Sequence, residues 1–229
     1  MTKDITLVII DNFCHGLAKF SVEQTLKHID CREVLTFSDR EIISGATLVP
    51  IVDSITMADY AQVMLKHLWL HVNTEHVLIV QWDAMAVDRN QWDDEYLKYD
   101  YIGSPWGDGQ VGNGGFSLRS RRLLDCLRDN QIQVSPITCT DEDVIICKHH
   151  RHHLEKQGIK FAPTELANKF SIEHQHMGDT FGFHGIWNAA RYFNVDTLRF
   201  IQHNWPAYMN PSSKKYLWEA MLRQRGISL

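Results

Sequence analysis

Hydrophobic residues in the first eighty positions form short continuous runs. Residues 5–10 are apolar and largely β-branched on both faces, as is typical of a strand buried in a parallel sheet. Runs of the same kind predict strands over 33–37, 47–51 and 77–80. The stretches between these runs are polar or have helical spacing, so the pattern predicts a mostly parallel sheet that carries helices on both faces.

Two helices are predicted between these strands. Ser21 and Gln24 have the spacing of a capping pair, which predicts a short helix that ends near Ile29. Apolar residues three or four positions apart predict an amphipathic helix from Thr56 to about Asn73. The order of strand, helix and strand is that of an α/β protein.

The second half of the chain is less regular. Strands are predicted over 101–104 and 115–118, a helix capped by Ser120 follows, and a further helix opens at Thr140 and stops at Gly158. Short strands or loops are predicted over 161–163, 170–172 and 181–183, before an aromatic-rich and partly helical tail over 187–225. No linker or repeat divides the chain, so we expect one α/β domain.

Aspartates follow three of the predicted strands, at Asp11, Asp39 and Asp83. The ligand crevice of an open parallel sheet lies beyond the carboxyl ends of its strands, which places these side chains at the expected site. Asp83 could bind a hard cation that carries a diphosphate, or it could simply form a turn or cap a helix.

Glycines cluster in the segment Gly112-Asn113-Gly114-Gly115. Glycines between strand-like residues are costly unless the backbone must approach something closely, which indicates a ligand surface. A glycine-rich hairpin without a ligand is the alternative.

Three carboxylates follow Thr140, at Asp141, Glu142 and Asp143. At a helix start they could be general-base candidates, because the helix dipole favours their charged form. Asp143 also has capping-box spacing from Thr140, so a structural role explains at least one of them equally well.

Two groups of histidines could bind metal. His184 lies between glycines and aromatic residues, which leaves its ring open to a ligand, although a histidine hydrogen-bonded within the core is the commoner case. His149 and His153 have i,i+4 spacing and could share a metal, but they also fit a solvated positive face near a helix end.

The composition limits the kinds of binding partner and the cell compartment that we expect. The formal net charge of -5 over 229 residues provides no general basic field for nucleic acid, so a small ligand is expected. Five cysteines without a CxxC pair or a secretory leader indicate the cytoplasm. No apolar run is long enough to cross a bilayer, so any membrane contact is expected to be peripheral, at the inner face.

The motifs together resemble a known family. Gln81-Trp82-Asp83 is followed by Asp100-Tyr101-Ile102-Gly103-Ser104-Pro105-Trp106, then by Gly112-Asn113-Gly114-Gly115-Phe116-Ser117-Leu118-Arg119, Glu142-Asp143-Val144 and Phe181-Gly182-Phe183-His184-Gly185. This order resembles a poorly characterised family of bacterial glycosyltransferase-like proteins, which is similar to the GT-A superfamily of nucleotide-sugar transferases. The resemblance covers about residues 5 to 190.

The resemblance implies a GT-A-like, Rossmann-like domain with a nucleotide-binding half over 1–83, an acceptor and catalytic half over 84–190 and a helical tail over 191–229. It implies that Asp83 and His184 bind a divalent cation, Mn²⁺ or Mg²⁺, and that Asp143 of the Glu142-Asp143 pair is the catalytic base. The further implied contacts are Asp11, Asn113, Gly114 and Gly115 for the nucleotide-sugar donor and Trp106 for a sugar of the acceptor.

The sequence departs from that family at the metal motif. Gln81 and Trp82 stand where a second aspartate is usual, so Asp83 is the one carboxylate of the motif. Either His184 and the diphosphate complete the metal site, or a lysine of the tail, Lys214 or Lys215, neutralises the leaving group instead.

The leading hypothesis is an inverting glycosyltransferase that moves a sugar from a nucleotide-diphosphate donor, a UDP-sugar, to a glycan or lipid-linked acceptor in surface polysaccharide assembly. One alternative is a metal-dependent nucleotidyltransferase or hydrolase on a similar sheet. The other is a non-catalytic binder of nucleotide-sugars, in which the acidic cluster is only a helix cap.

Overall fold

A mixed sheet forms the centre of the fold. A computed structural model of the chain describes residues 2–51, 55–132, 141–174, 178–206 and 213–229. Within them the strands are β1 (Lys3–Ile10), β2 (Cys31–Ser38), β3 (Thr47–Pro50), β4 (His76–Val80), β5 (Met85–Ala86), β6 (Tyr101–Gly103), β7 (Phe116–Ser120), β8 (Ser171–Ile172) and β9 (Gly182–Phe183).

The predicted mostly parallel sheet is confirmed. Six strands pair in the order β3-β2-β1-β4-β7-β6, and the pairings among β1 to β4 are all parallel. The exception is β7, which runs antiparallel to both β4 and β6. The glycine-rich segment joins β6 to β7, so it turns the chain back along the sheet instead of crossing over it.

Strand β1 shows why its sequence is apolar on both faces. Ile5, Leu7 and Ile9 belong to one hydrophobic cluster, whereas Val8 and Ile10 belong to another. Successive side chains of a strand point to opposite faces, so both faces of the sheet are covered.

Helices surround the sheet. The α-helical segments of the described residues are α1 (His15–Leu26), α2 (Met57–Gln62), α3 (Arg121–Asp129), α4 (Glu142–Val144), α5 (Arg151–Lys156), α6 (Thr164–Phe170), α7 (Ala189–Tyr192), α8 (Val195–His203) and α9 (Ser213–Gln224). Helix α2 continues as a π-helix to His67 and a 3₁₀ turn to Leu70, which confirms the helix predicted from Thr56.

Helix α1 begins earlier than predicted. It starts at His15, so Ser21 lies in its middle and is not its cap. The Ser21 hydroxyl lies 2.9 Å from the Gln81 carbonyl and also contacts the Ala84 carbonyl. Ser21 therefore ties α1 to the turn that carries Asp83.

The helix after the acidic cluster is interrupted. Helix α4 continues as a π-helix over Ile145–His149, and α5 follows after His150. Gly158 has a φ of +85°, which confirms the predicted stop, because only glycine adopts this conformation at little cost. The predicted first residue, Thr140, lies outside the described residues.

A second, three-stranded sheet has the order β5-β9-β8. Strands β8 and β9 are parallel and pair Ile172 with Phe183. That register brings Glu173 and His184, the next residue of each strand, to neighbouring positions.

The tail packs on the same hydrophobic cluster as one face of β1. Trp218 and Leu222 of α9 are buried in that cluster, and α9 packs against the 3₁₀ turn Ile186–Asn188. The tail is therefore held beside the segment that follows His184. Of the helices that are described, none is both long and apolar enough to cross a membrane.

We expect Ser21→Ala to destabilise the protein by about 1–3 kcal/mol, because the hydrogen bond that the hydroxyl donates to the turn after β4 is lost within the core. Urea denaturation measures the change. Glu23→Ala, at an exposed position of α1, is the control and should change the free energy of unfolding by less than about 0.5 kcal/mol. Equal effects of the two substitutions would show that Ser21 is not an anchor.

Candidate functional site

A cavity of about 750 Å³ opens at the carboxyl ends of β1 and β4. Its polar lining comprises Asn12, Thr56, Gln81, Asp83, Asp141, Glu142, Asp143, His184 and Lys214, and its other walls include Phe13, Ile55, Met57, Tyr60, Trp82, Trp106 and Gly115. The volume lies within the usual range for small-molecule sites. Asp83, Asp143 and His184, predicted from distant parts of the sequence, thus line one cavity.

Asp83 lies almost fully buried in the turn after β4. Neither of its carboxylate oxygens accepts a hydrogen bond from the residues that the structure describes. Oδ1 lies 3.4 Å from Nε2 of His184, and Oδ2 lies 3.8 Å from Nζ of Lys214. Burial opposes the ionisation of Asp83, but these two cations outweigh it and lower its pKa below the usual value.

His184 lies between two carboxylates. Its Nδ1 is 3.2 Å from Oε1 of Glu173, and its Nε2 faces Asp83. Burial alone would lower the pKa of His184, but the two carboxylates raise it to about 10. Oε2 of Glu173 accepts a hydrogen bond of 3.0 Å from the Asn113 amide. A buried chain of contacts therefore links the glycine-rich segment to Asp83.

Sequence reasoning missed Glu173. The one available signal was its position directly after a predicted short strand, 170–172, whose partner strand precedes His184. Pairing between those two strands is what makes Glu173 a neighbour of His184.

The donor groups present fit a divalent cation in part. The two buried Asp83 oxygens accept no hydrogen bond from the described residues, and Nε2 of His184, which would have to lose its proton to bind a metal, faces them. Glu173 holds the other ring nitrogen, as carboxylates do for metal-bound histidines. Among the described residues, no three His, Cys, Asp or Glu side chains form a metal-binding group. A cation would therefore need further oxygens, such as those of a diphosphate.

Glu142 forms a buried ion pair with Arg119. Oε1 of Glu142 accepts a hydrogen bond of 2.7 Å from Nη2 of Arg119, and both side chains are almost fully buried. The guanidinium also lies 5.1 Å from the ring centre of Tyr101 and donates through Nε to Ser117. Glu142 was predicted together with Asp143 as catalytic, and in the structure Arg119 occupies its Oε1.

Asp143 forms no such ion pair with a lysine or arginine in the part of the chain that the structure describes, and its carboxylate is bonded by backbone N–H groups. Oδ2 accepts a hydrogen bond of 2.9 Å from the Gly114 backbone N–H, and Oδ1 accepts one of 2.7 Å from Val144. Burial and the neighbouring Glu142 carboxylate raise the pKa of Asp143 to about 7. A carboxyl group of that pKa, lining a cavity, has the properties of a general base at neutral pH.

The glycines of the predicted ligand surface make room for these side chains. A Cβ on Gly114 would lie 2.6 Å from Oε1 of Glu142, and a Cβ on Gly115 would overlap the His184 ring. Gly115 lines the cavity, whereas Asn113 and Gly114, also predicted as donor contacts, do not. Their observed contacts are with Glu173 and Asp143 instead.

Asp11, predicted as a nucleotide contact, lies directly after β1. It does not line the cavity, because its Oδ1 turns back to accept from the backbone N–H groups of Phe13 and Cys14 before α1. Burial raises the pKa of Asp11 to about 6. The residues after it, Asn12 and Phe13, are the ones that reach the cavity.

Trp106 lines the cavity, as an acceptor contact would, but much of its ring is already covered. The Lys148 ammonium lies 4.5 Å from the ring centre, and Gly112 lets the ring edge lie against the backbone. The ring surface open to a sugar is correspondingly small.

Several other candidates lie away from the cavity. Asp39 pairs with His15 at 2.6 Å and with Arg40, and His153 bonds to Asn130 and Gln157. Of the two tail lysines, Lys214 reaches the cavity, whereas Lys215 lines a separate groove beside Trp218.

The sequence matches one model of a protein family. A family model described as "Protein of unknown function (DUF5672)" matches residues 51–184, more than half of the chain. A search of curated proteins gives no match.

Two solved glycosyltransferases share the overall fold. One is involved in the glycosylation of the major capsid of PBCV-1, with a TM-score of 0.52 and 12% identity over 96% of this chain and 98% of that one. The other is a mannosyltransferase from Pyrobaculum calidifontis in complex with GDP-Man and Mn²⁺, with a TM-score of 0.52 and 12% identity over 100% of this chain and 77% of that one.

We expect Asp143→Asn to remove a pH dependence of stability. A carboxyl whose folded pKa is raised from about 4 to about 7 binds its proton more tightly when folded, so the free energy of unfolding falls as pH rises between those values. The fall is at most about 1.4 kcal/mol per pH unit and ends above about pH 7. Urea denaturation of both proteins from pH 4.5 to 8.5 gives the difference. A difference that stays constant over this range would contradict the raised pKa.

Proposed function

We propose that this chain, which belongs to the family described as "Protein of unknown function (DUF5672)", transfers a sugar from a nucleoside-diphosphate donor to a hydroxyl group of a glycan or lipid-linked acceptor. One observation carries the proposal: a single cavity combines Asp83, His184 and Lys214, which can hold a diphosphate directly or through a cation, with Asp143, whose pKa suits a base. The fold shared with two glycosyltransferases supports it.

In the proposed reaction, Asp143 takes the proton of the acceptor hydroxyl. The acceptor oxygen then forms a bond to the anomeric carbon of the donor sugar, while the bond between that carbon and the diphosphate oxygen breaks. The electron pair of the broken bond stays on the diphosphate, which leaves as a nucleoside diphosphate. Attack from the face opposite the leaving group inverts the anomeric carbon.

The charge that develops in the transition state determines which side chains contribute to the reaction. Negative charge grows on the departing diphosphate, and a preorganised positive environment there stabilises the transition state. A divalent cation held by Asp83 and His184 would, when bound, neutralise part of that charge. Glu173 orients His184, and Arg119 keeps Glu142 from competing with Asp143 for the acceptor proton.

The halves of the chain have separate parts in this proposal. Residues 1–83 supply Asp83 to the diphosphate, residues 84–190 supply Asp143 and His184, and the tail supplies Lys214. Membership of the GT-A superfamily is part of the proposal, and the motif order and this arrangement support it. UDP is the proposed nucleotide, and GDP, which the mannosyltransferase binds as GDP-Man, offers the same diphosphate.

The test is release of the nucleoside diphosphate from UDP- and GDP-sugars in the presence of simple glycan acceptors. We expect Asp143→Asn to lower turnover by about 10²- to 10⁴-fold, as is usual when a general base is lost, while donor affinity changes by less than about twofold. Asp196→Asn, at an exposed position of α8, is the control and should retain full activity.

Three outcomes would contradict the proposal. Pyrophosphate release from UTP or GTP would identify a nucleotidyltransferase. Donor binding without any transfer or donor hydrolysis would indicate a binding protein. Full turnover in Asp143→Asn would remove Asp143 from the role of base.

A further inference from the structure

Lys214 is the one lysine or arginine among the described residues that line the cavity. Its side chain is 41% exposed, and its ammonium lies 3.8 Å from Oδ2 of Asp83. That separation allows attraction but is too long for a hydrogen bond. The ammonium is therefore close to the proposed diphosphate position without being locked in a short contact.

The fold explains how the tail carries Lys214 to this position. Lys214 lies in the first turn of the twelve-residue helix α9. Trp218 and Leu222 anchor that helix in the core, and its contacts with the 3₁₀ turn after His184 fix its place along the sheet edge. Lys214 thus lines the cavity from an anchored helix, with its side chain partly exposed.

Arg119, unlike Lys214, is enclosed by the protein. Its guanidinium is fully buried and bonded to Glu142 and Ser117, so it has no route to a ligand in the cavity. His184 is likewise held between Asp83 and Glu173. Of the lysines and arginines that the structure describes at this edge of the sheet, Lys214 is the one whose position permits a direct contact with an entering anion.

The negative charge of the cavity favours such a contact. Asp83, Asp141, Glu142 and Asp143 all line it, and a diphosphate would add to their charge. Gln81 and Trp82 stand before Asp83, so the strand end offers one carboxylate for a cation, not two. An ammonium group, with three donors on a flexible stem, suits phosphate oxygens.

We propose that Lys214 binds the diphosphate of the donor and stabilises the nucleoside diphosphate as it leaves. This inference rests on the proposed function. When the bond between the anomeric carbon and the diphosphate oxygen breaks, the electron pair remains on that oxygen, and the Lys214 ammonium neutralises part of the new charge without giving up its proton.

Calorimetric titration of the full chain with UDP and with GDP, in buffer that contains EDTA, tests this contact. We expect Lys214→Ala to weaken the binding of whichever nucleotide the wild type binds by at least about tenfold, because an ionic hydrogen bond is lost. Lys214→Arg should retain most of the affinity, since it keeps the charge. Lys215→Ala is the matched control from the same helix turn and should bind as the wild type does.

The corresponding nucleoside, uridine or guanosine, provides the second readout. It lacks phosphate, so Lys214→Ala should bind it as well as the wild type does, which also shows that the variant is folded. Equal affinity of Lys214→Ala and Lys215→Ala for the nucleoside diphosphate would overturn the inference and leave the proposed function intact. A wild type that binds no nucleoside diphosphate, with or without Mn²⁺, would overturn both.

Discussion

Buried carboxylates at the carboxyl edge of the sheet must each be compensated, because an isolated charge in a protein interior costs several kcal/mol. Glu142 is compensated by Arg119, and Asp83 and Glu173 share His184. Asp143 lies beside them with two backbone N–H partners and no ion pair to a lysine or arginine of the described residues, and burial and the Glu142 carboxylate raise its pKa. The pairing of its neighbours is therefore what leaves Asp143 with the chemistry of a base.

The same pairing explains the glycine-rich segment. Gly114 leaves space for the Arg119 and Glu142 side chains, and Gly115 leaves space for the His184 ring. The glycines were expected to face a ligand because they allow other groups to approach the backbone closely. Groups do approach it closely here, but they are mainly the protein's own charged side chains. Only Gly115 also borders the cavity. The motif that is most conspicuous in the sequence thus serves first to pack the charged groups.

Sequence patterns predicted the parts of this structure that depend on local periodicity. Strand β1 is apolar on both faces and is buried on both, and Asp83 and His184 do line one cavity. Ser21 was misplaced because its hydroxyl bonds to carbonyls some 60 positions away, which no local capping rule detects. Glu173 depends in the same way on strand register, and Arg119 on a partner 23 positions away. Such long-range pairs leave no trace in residue spacing.

We propose that the diphosphate binds near Asp83 and that the reacting carbon lies near Asp143. One measurement tests this assignment most directly. A crystal structure of the chain with its nucleoside diphosphate and Mn²⁺ should show the phosphates within hydrogen-bond distance of Lys214 and on the Asp83 side of the cavity. Asp143 should stay clear of the phosphates and face the space left for the sugar. A nucleotide bound outside this cavity, or with its phosphates against Asp143, would contradict the assignment of base and leaving-group sites.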